Sequence, residues 1–401
     1  MDPLDVVGNL HKISPVYQPI VSAIKQDVIG FEVLGRFKQN DQWISLGSFF
    51  HDPEVPEEYK VEVDQYLLER SISEMLEANE QGNLFINRSA NQLMHNNGED
   101  LIRTLQSFEE KGFSMKRIVV EVTEHDFEED FEALIHLLLY YKTFGIQIAV
   151  DHVGAKSSNL DRLRQLAPHI LKIDTNRIHA DGFQDVMYSL SMLARKIGAA
   201  LLFENIEDDY HHYFAWKHGG RYYQGYLIDK PDFKPNAERT ITSQIQERVS
   251  GYIKREKSLI EQRLTFVLSW EKKIKEILPK WEGPKKVNSF LENVIPPFKE
   301  ESFRMYVCNS DGIQISSNYR KEDGDWKSEP EKKDSNWAFR PYFLENMVHM
   351  KTWGKGMLSE IYSDIETREM IRTFSYPITD HYFLFVDIQY SYIFEHECLL
   401  I

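Results

Sequence analysis

The sequence predicts an α/β fold, a TIM-type (β/α)8 barrel followed by a linking helix and a small α+β domain. Three observations lead to this prediction. Short apolar runs recur along the first half of the chain, and each ends in a polar side chain. Stretches long enough for a helix separate the runs, and this alternation stops near residue 235. The alternation of strand, polar end and helix is typical of a βα barrel.

The polar residues that end the runs are the candidate functional residues. They are Glu32, Asn87, Glu121, Asp151, Asp174, Glu204 and Gln224. In βα barrels the carboxyl ends of the strands meet at one mouth, so we expect these side chains to lie together. The alternative for any one of them is a helix N-cap, a position that Asp and Asn favour.

The barrel pattern ends at the proline-containing segment 230–235. From Ala237 to about Pro279, apolar residues then recur at helical spacing among Lys, Arg and Glu residues. We expect one long amphipathic helix here. Its apolar stripe fits a dimer seam, a signalling lever or packing against its own domain.

The last segment has the features of an antiparallel sheet. Asp311-Gly312 lies between apolar runs, which is a hairpin signal. Residues 337–349 fit a helix, and 370–374 and 382–388 fit strands. We therefore divide the chain into a barrel (1–235), a linker helix (236–282) and an α+β domain (283–401).

Composition limits the partners. The chain has 401 residues, of which 42% are hydrophobic, and a formal net charge of −16. An acidic surface disfavours nucleic-acid polymers and anionic membranes. Cys308 and Cys398 match no zinc or disulfide pattern and fit buried, inert thiols. No signal peptide or membrane-spanning run is evident, so we expect a cytoplasmic protein.

The carboxylates and the amide point to metal chemistry. Oxygen ligands without cysteine favour Mg²⁺, Mn²⁺ or Ca²⁺. Glu204 could position or deprotonate a metal-bound water, and Lys172 could offset charge that develops on a phosphoryl group. Arg36 could bind a phosphate. For Lys172 alone, the alternative is a solvated lysine at a strand end.

The segment Glu32-Val33-Leu34-Gly35-Arg36 resembles the signature of the EAL-domain family, hydrolases of cyclic di-GMP, with Val in place of the central Ala. Matching segments follow in family order over about residues 10–235. They are Tyr17–Ile20, Phe85–Ser89, Val120–Glu124, Leu171–Asp174, Glu204–Glu207 and Gln224–Tyr226. The ordered set is far more specific than any one motif.

The resemblance implies a modified TIM-type barrel and a role for each matched residue. Metal would be bound by Glu32, Asn87, Glu121 and Asp151. Glu204 would serve the nucleophilic water with support from Lys172. The ligand-binding set would be Gln18, Leu34, Arg36, Asp174, Glu207 and Gln224, and Glu124 would steady the loop after Asp151. Family members use two metals to cleave one phosphodiester bond and commonly form homodimers near this loop.

The loop after Asp151 departs from the family pattern. The family has Asp-Asp-Phe-Gly-Thr-Gly-Tyr-Ser-Ser, whereas this chain has Asp151-His152-Val153-Gly154-Ala155-Lys156-Ser157-Ser158. His152 replaces the second aspartate, and imidazole is a poor Mg²⁺ ligand. Lys156 adds positive charge beside a cation site. We expect binding to survive better than turnover, with a rate loss of roughly two to four orders of magnitude.

Residues of about 300–390 resemble PAS-like Cache sensor domains. That resemblance implies a small ligand held by Arg340, Trp337, Tyr362 and Asp364. The alternative is a PAS-like module that binds nothing or only dimerises.

The sequence therefore predicts a metal-dependent receptor for cyclic di-GMP, a homodimer, with weak or absent hydrolysis. The first alternative is an active cyclic-guanylate-specific phosphodiesterase regulated by the C-terminal domain. The second is an interaction scaffold that does not bind the dinucleotide. Since no Gly-Gly-Asp-Glu-Phe signature occurs, synthesis of the messenger is not expected.

Overall fold

The computed structural model describes residues 1–94, 98–123, 131–154, 160–180, 182–236 and 241–396. The chain forms two compact units, Met1–Tyr252 and Ile253–Ile401.

The first unit contains a closed barrel of eight strands, as predicted. The strands of this unit are β1 (Ile13–Ser22), β2 (Val28–Gln39), β3 (Gln42–Ser45), β4 (Asn83–Asn87), β5 (Ile118–Thr123), β6 (Gln147–Asp151), β7 (Ile170–Asp174), β8 (Ala200–Glu204) and β9 (Tyr222–Tyr223). Their order is β1-β9-β8-β7-β6-β5-β4-β2, the pairing of β1 with β2 closes the barrel, and β3 extends the sheet beyond β2.

Helices follow most of the strands. They are α1 (Pro3–Val7), α2 (Gly47–His51), α3 (Glu57–Glu77), α4 (Ala90–Met94), α5 (Glu99–Glu109), α6 (Phe131–Thr143), α7 (Leu160–Leu166), α8 (Phe183–Ile197), α9 (Asp209–Lys217) and α10 (Ile241–Ile277). Helix α10 contributes Ile241, Ile245 and Val249 to the core of this unit.

One strand of the barrel runs against the others. Strand β1 is antiparallel to both β2 and β9, whereas the other neighbouring barrel strands are parallel. The connection from Ser22 to Val28 is too short for the crossover that parallel strands need. This reversal is the modification of the TIM-type barrel.

Side-chain alternation explains why polar residues meet at one end. A small core cluster contains Phe85, Val119, Ala149, Ile170 and Leu202, one from each of five consecutive parallel strands. Side chains two residues apart on a strand point to the same side. The residues two positions further on are Asn87, Glu121, Asp151, Lys172 and Glu204.

His212 provides a pH-dependent test of the barrel core. Its ring is fully buried against Tyr223 and Tyr252. Burial, reinforced by the charge of Arg248 and opposed by Asp209, lowers the pKa of His212 to about 4. Between pH 6.5 and 4 the unfolded chain binds a proton that the folded barrel does not, so stability falls as the pH falls.

We expect His212→Asn to remove this pH dependence, which amounts to about 3 kcal/mol between pH 7 and pH 4 in the wild-type protein. Urea unfolding of the full chain at several pH values, with hydrogen exchange of barrel peptides, measures it. The matched control, His136→Asn, changes an exposed histidine on α6 and should keep the wild-type profile. Parallel profiles for the wild type and His212→Asn would contradict the prediction.

The second unit is an antiparallel sheet with helices on both faces. Its strands are β10 (Ser302–Asn309), β11 (Asn318–Glu322), β12 (Asp325–Glu329), β13 (Met357–Leu358), β14 (Tyr362–Ser363), β15 (Met370–Thr379) and β16 (Tyr382–Ile388). Its further helices are α11 (Val287–Phe298), α12 (Pro341–Trp353) and α13 (Tyr390–Glu395). The strand order is β12-β11-β10-β16-β15-β13, and β14 pairs with β15.

Alternate residues of β10 point to opposite faces of the sheet, and each face packs against its own helices. Met305 and Val307 belong to a core with α11 and the end of α10, which supplies Trp270 and Ile274. Tyr306 and Cys308 belong to a second core with Phe343, Met347 and Met350 of α12. Because both faces are covered, the strand is apolar at consecutive positions.

The hairpin predicted at Asp311-Gly312 is confirmed. Asn309 N–H donates to the carbonyl of Ile313 at 2.9 Å, and Gly312 has a φ of 79°. The helix predicted from residue 337 begins instead at Pro341, because proline suits the first turn of a helix. Cys308 is a buried free thiol, as predicted, and Cys398 lies outside the described residues.

Among the described helices, none has the length and apolar character that a membrane crossing requires.

Candidate functional site

The mouth of the barrel holds four carboxylates around one buried lysine. The Lys172 Nζ donates to Glu121 Oε2 at 2.8 Å and to Glu32 Oε2 at 3.2 Å. The same nitrogen lies 3.4 Å from Glu204 Oε2 and 3.9 Å from Asp151 Oδ1. The structure thus brings these five predicted residues together, and the side chain of Lys172 is 1% exposed rather than solvated.

Amide side chains fix the orientation of Glu32. Asn87 Nδ2 donates to Glu32 Oε1 at 2.8 Å, and Gln224 Nε2 donates to Glu32 Oε2 at 2.7 Å. Gln224 Nε2 also lies 3.3 Å from Gln18 Oε1. A Cβ at Gly225 would lie 2.2 Å from the backbone of Ile206, so only glycine allows the chain after Gln224 to pass this close.

The carboxylates differ in their affinity for protons. Burial raises the pKa of Glu121 well above its ordinary value, and the Glu32 charge adds to the rise. Burial also acts on Glu32, but Lys172 and the hydrogen bonds from Gln224 and Asn87 outweigh it and lower the pKa. Burial raises the pKa of Glu204 to about 7, against the opposing charge of Lys172. Burial opposes the charge on Lys172, but the carboxylates raise its pKa overall.

The site fits a divalent cation. Within the site, three buried oxygens lack a hydrogen-bond partner among the described residues, namely Glu121 Oε1, Glu204 Oε1 and Gln224 Oε1. Four ionised carboxylates beside one ammonium would also leave an excess of negative charge. Unpaired buried oxygens and excess charge are both costly, and a bound cation relieves both.

A cavity of about 610 Å³ opens over the carboxylates. Of the predicted residues, it is lined by Gln18, Glu32, Leu34, Arg36, Asn87, Glu121, Asp151, His152, Glu204, Glu207 and Gln224. Its size is suitable for a ligand of nucleotide dimensions. Arg36 donates to the carbonyl of Gly35 at 3.0 Å and is half-buried, which lowers its pKa.

Asp174 has a capping role. Its carboxylate accepts the backbone N–H of Asn176 at 2.9 Å and Asn205 Nδ2 at 3.0 Å. Asn205 also lines the cavity. The N-cap alternative therefore applies at Asp174, and its predicted contact with a ligand stays a prediction.

His152 lies at the mouth beside two of the predicted site residues. Its Nδ1 is 3.6 Å from Glu204 Oε1, and its Nε2 is 3.7 Å from Asp151 Oδ2. The donor atoms of these three residues lie within 4.8 Å of one another. Glu124 and Lys156, to which the sequence also assigned roles at this loop, lie outside the described residues.

A buried ion pair at the edge of the cavity was not predicted from the sequence. Arg88 pairs with Asp64 of α3, and both residues line the cavity. Arg88 also donates to the carbonyl of Asn87 at 3.0 Å. Burial raises the pKa of Asp64 to about 6, despite the charge of Arg88. The sequence contained one signal for this pair, because Asp64 lies beside Val63, Leu67 and Leu68 on the buried face of α3.

In the second unit, the residues proposed for a small ligand contact other side chains. Arg340 stacks over Trp337 at 4.6 Å, and Trp337 Nε1 donates to Gln314 Oε1 at 3.0 Å. Asp364 accepts from Arg304 at 2.7 Å, and the Tyr362 hydroxyl lies 2.7 Å from Thr373 Oγ1.

Comparison with known proteins places this site in a family. YkuI of Bacillus subtilis (strain 168), described as an uncharacterized EAL-domain containing protein, is 42% identical over 407 residues, which cover 100% of both chains. The crystal structure of YkuI in complex with substrate c-di-GMP and calcium has a TM-score of 0.94 and 41% identity, again over 100% of both chains.

More distant relatives match a little over half of the chain. The probable cyclic di-GMP phosphodiesterase PdeB of Escherichia coli (strain K12) is 28% identical over 219 residues, 53% of this chain and 42% of that protein. The c-di-GMP-bound standalone EAL protein of Vibrio cholerae O395 has a TM-score of 0.50 and 26% identity, over 57% of this chain and 97% of that one.

Two family descriptions together cover nearly all of the chain. Residues 237–400 match the EAL-domain associated signalling protein domain. Residues 8–231 match the EAL domain. With the barrel, the site and the full-length similarity to YkuI, this match shows that the chain belongs to the EAL-domain family.

Proposed function

We propose that this protein is a divalent-cation-dependent receptor for cyclic di-GMP that hydrolyses the dinucleotide slowly or not at all. The observation that carries the proposal is the cluster of buried, partly unpaired oxygens at the floor of a 610 Å³ cavity. A full-length relative with 41% identity is known in complex with c-di-GMP and calcium, which supports the same ligand here.

The charge of the cavity explains why binding should need a cation. Its acidic lining residues are Glu32, Glu57, Asp64, Glu121, Asp151, Glu204 and Glu207, and its basic ones are Arg36, Lys60 and Arg88. A phosphodiester anion is repelled by this excess of carboxylates. A bound cation would offset most of the negative charge of the cluster, contact a phosphate oxygen and leave Arg36 to bind a second one.

We assign the cation to Glu32, Asn87, Glu121 and Asp151, and Glu204 to the water beside it. When bound, the cation would polarise a phosphate oxygen and acidify a water. Asn87 and Gln224 hold the Glu32 carboxylate in place through hydrogen bonds of 2.8 and 2.7 Å. The positive charge of the buried Lys172 ammonium partly balances the negative charge of the carboxylates.

Slow turnover is expected because His152 stands where other family members have a second aspartate. A cavity with one charged oxygen ligand fewer has a weaker hold on a second Mg²⁺ or Ca²⁺ ion. The hydrogen bonds from Lys172 to Glu32 and Glu121 do not involve this side chain, so binding should be retained.

An active phosphodiesterase is the second candidate, and Glu204 favours it. Its pKa of about 7 suits a general base at neutral pH. Its Oε2 also lies 3.4 Å from the Lys172 ammonium, which could stabilise the deprotonated form.

For the rest of the chain, we propose a PAS-like sensory module at residues 283–401 joined to the barrel (1–235) by a linker helix (236–282). The antiparallel sheet with helices on both faces supports a PAS-like module. We further propose a homodimer located in the cytoplasm, with an unidentified small ligand at the C-terminal module.

The test is calorimetric titration of the full-length protein with cyclic di-GMP, in calcium or magnesium and in EDTA, followed by recovery of the nucleotide. We expect micromolar or tighter binding with the cation, at least about tenfold weaker binding in EDTA, and intact nucleotide. Linear product would favour the phosphodiesterase. Absence of binding in every condition would leave only the scaffold.

Matched variants locate the site. Asp151→Asn removes one charge from the cation cluster and should abolish the effect of the cation on binding. Asp161→Asn makes the same change at an exposed position on α7 and should bind as the wild type does. Equal affinities for the two variants would place the ligand elsewhere.

A further inference from the structure

The guanidinium of Arg372 is buried in the second unit without a matching acceptor among the described residues. Its side chain, on β15, is 4% exposed, and its Nε is buried with no hydrogen-bond partner there. Glu360 Oε2 lies 3.8 Å from Arg372 Nη2, but the side chain of Glu360 is 95% exposed. An exposed carboxylate at this distance contributes little, so the buried charge is left largely uncompensated.

Arg304 shows how a guanidinium of the same unit is satisfied. Its Nε donates to Asp387 Oδ2 at 2.5 Å, and its Nη2 donates to Asp364 Oδ1 at 2.7 Å. These two nitrogens lie on one edge of the guanidinium, and such an edge binds carboxylates and phosphates as a fork. On Arg372 the same edge has an unpartnered Nε and an Nη2 that only approaches Glu360. It is therefore a fork that can still take an oxyanion.

The free edge belongs to the face of the sheet that packs against α10. Phe374, two residues after Arg372 on β15, contacts the ring of Trp270 on α10 with centroids 5.4 Å apart. Side chains two residues apart on a strand point to the same side. Trp337, predicted to hold a small ligand, packs instead against Tyr306 in the core formed with α12. The unsatisfied arginine and the predicted ligand residues thus lie on opposite faces of the sheet.

A second cation on α10 lies near Arg372. Burial lowers the pKa of Arg372, Glu360 opposes this shift, and the charge of Arg263 adds to it. Arg263 is half-buried on the part of α10 that belongs to the second unit. Two guanidinium groups that repel one another are stabilised by an anion placed between them.

We propose that Arg372 and Arg263 form a binding site for a small oxyanion, a phosphate or a carboxylate, between β15 and α10. Nε and Nη2 of Arg372 donate to two oxygens of the anion, Arg263 adds positive charge, and Glu360 is displaced into solvent. The site gives a chemical class to the small ligand proposed for the C-terminal module, and it rests on that part of the proposed function.

Hydrogen exchange of the full-length protein, freed of divalent cations, tests the site. Phosphate and succinate are compared with chloride at equal ionic strength. We expect peptides from β15 and from residues 258–270 of α10 to exchange about tenfold more slowly when the anion is at ten times its dissociation constant. Barrel peptides should not change, because the acidic mouth repels anions. A response to either anion supports the site, and the stronger response identifies the class. Absence of both responses would overturn it.

Replacing Arg372 by methionine separates ligand binding from a structural role. Arg372→Met should abolish the response and leave the stability in chloride equal to that of the wild type or higher, since an unpaired buried charge is removed. Arg320→Met, at a position with 29% side-chain exposure on β11, is the matched control and should retain the response. A response that persists in Arg372→Met, or a marked loss of its stability in chloride, would reject the proposal.

Replacing Glu360 by glutamine tests the edge at which the anion binds. Glu360→Gln should strengthen phosphate binding by about two- to fivefold, because the competing carboxylate has lost its charge. Unchanged or weaker binding would show that the anion does not meet this edge. Binding of cyclic di-GMP to the barrel is measured separately, so the inference and the receptor function can fail independently.

Discussion

Replacing Lys172 by methionine should destabilise the cation-free barrel by about 3–5 kcal/mol and make its stability depend on divalent cations. The ammonium lies within 4 Å of Glu32, Glu121, Asp151 and Glu204 and is buried with them. Methionine has a similar length but no charge. The carboxylates would then repel one another with no internal counter-ion, and an added cation would replace it.

Thermal and urea unfolding in EDTA and in millimolar calcium measure both effects. The stabilisation by calcium should be larger in Lys172→Met than in the wild type, because the cation then provides the missing positive charge. Lys142→Met is the matched control. Lys142 is half-buried but donates to the carbonyls of Leu166 and Ala167 at 3.0 and 2.7 Å, so its loss should leave the response to calcium unchanged. Equal calcium responses in the two variants would show that Lys172 does not balance the carboxylates.

The composition of the barrel mouth could be predicted because strand periodicity is a local property. A polar residue two positions after an interior residue points inward and reaches the end of the strand. Glu121 after Val119 and Glu204 after Leu202 follow this rule, and both lie at the site. The regular spacing of the runs was therefore sufficient to group residues that are far apart in sequence.

The reversed direction of β1 was also within reach of the sequence. Its connection to β2 is too short for a parallel crossover, and length alone excludes that arrangement. The sequence could not predict which side chains of a helix contact residues that follow a strand. Asp64 meets Arg88 only because α3 turns one face toward the cavity, and the rotation of a helix over a barrel depends on packing of the whole layer.

The role of Asp174 shows a second limit. An aspartate at the end of a strand can bind a ligand or cap the turn that follows. The same sequence pattern is found in both cases. In the structure its carboxylate accepts the N–H of Asn176, whereas Glu204, its register partner on the next strand, points into the cavity. Only the position of the side chain distinguishes the two outcomes.

Replacing Arg304 by methionine should destabilise the second unit by about 3–5 kcal/mol at neutral pH. Its Nε donates to Asp387 Oδ2 at 2.5 Å and its Nη2 to Asp364 Oδ1 at 2.7 Å. Both aspartates are buried, with exposures of 0% and 2%. Removal of the guanidinium leaves two buried carboxylates without their counter-ion, which costs far more than the loss of an exposed pair.

Arg320→Met is the matched control, since Arg320 lies 3.8 Å from Glu366 and its side chain is 29% exposed. It should cost about 0–1 kcal/mol. Urea unfolding, with hydrogen exchange of peptides from β10 and β16, assigns the loss to this unit. A double variant with Asp387→Asn should recover part of the stability, because the amide carries no charge.

The effect of Arg304→Met should also shrink in acid. Burial acts to raise the pKa of Asp364, but the hydrogen bond and charge of Arg304 lower it overall. The stability that this pair provides is therefore present above the unfolded pKa of about 3.9 and is lost as the pH falls below it. In the variant the Asp364 carboxyl has lost its counter-ion and can protonate at higher pH, so the two proteins should converge in stability between pH 6 and pH 4. A gap that stays constant over this range would show that the loss comes from packing rather than from unpaired charge.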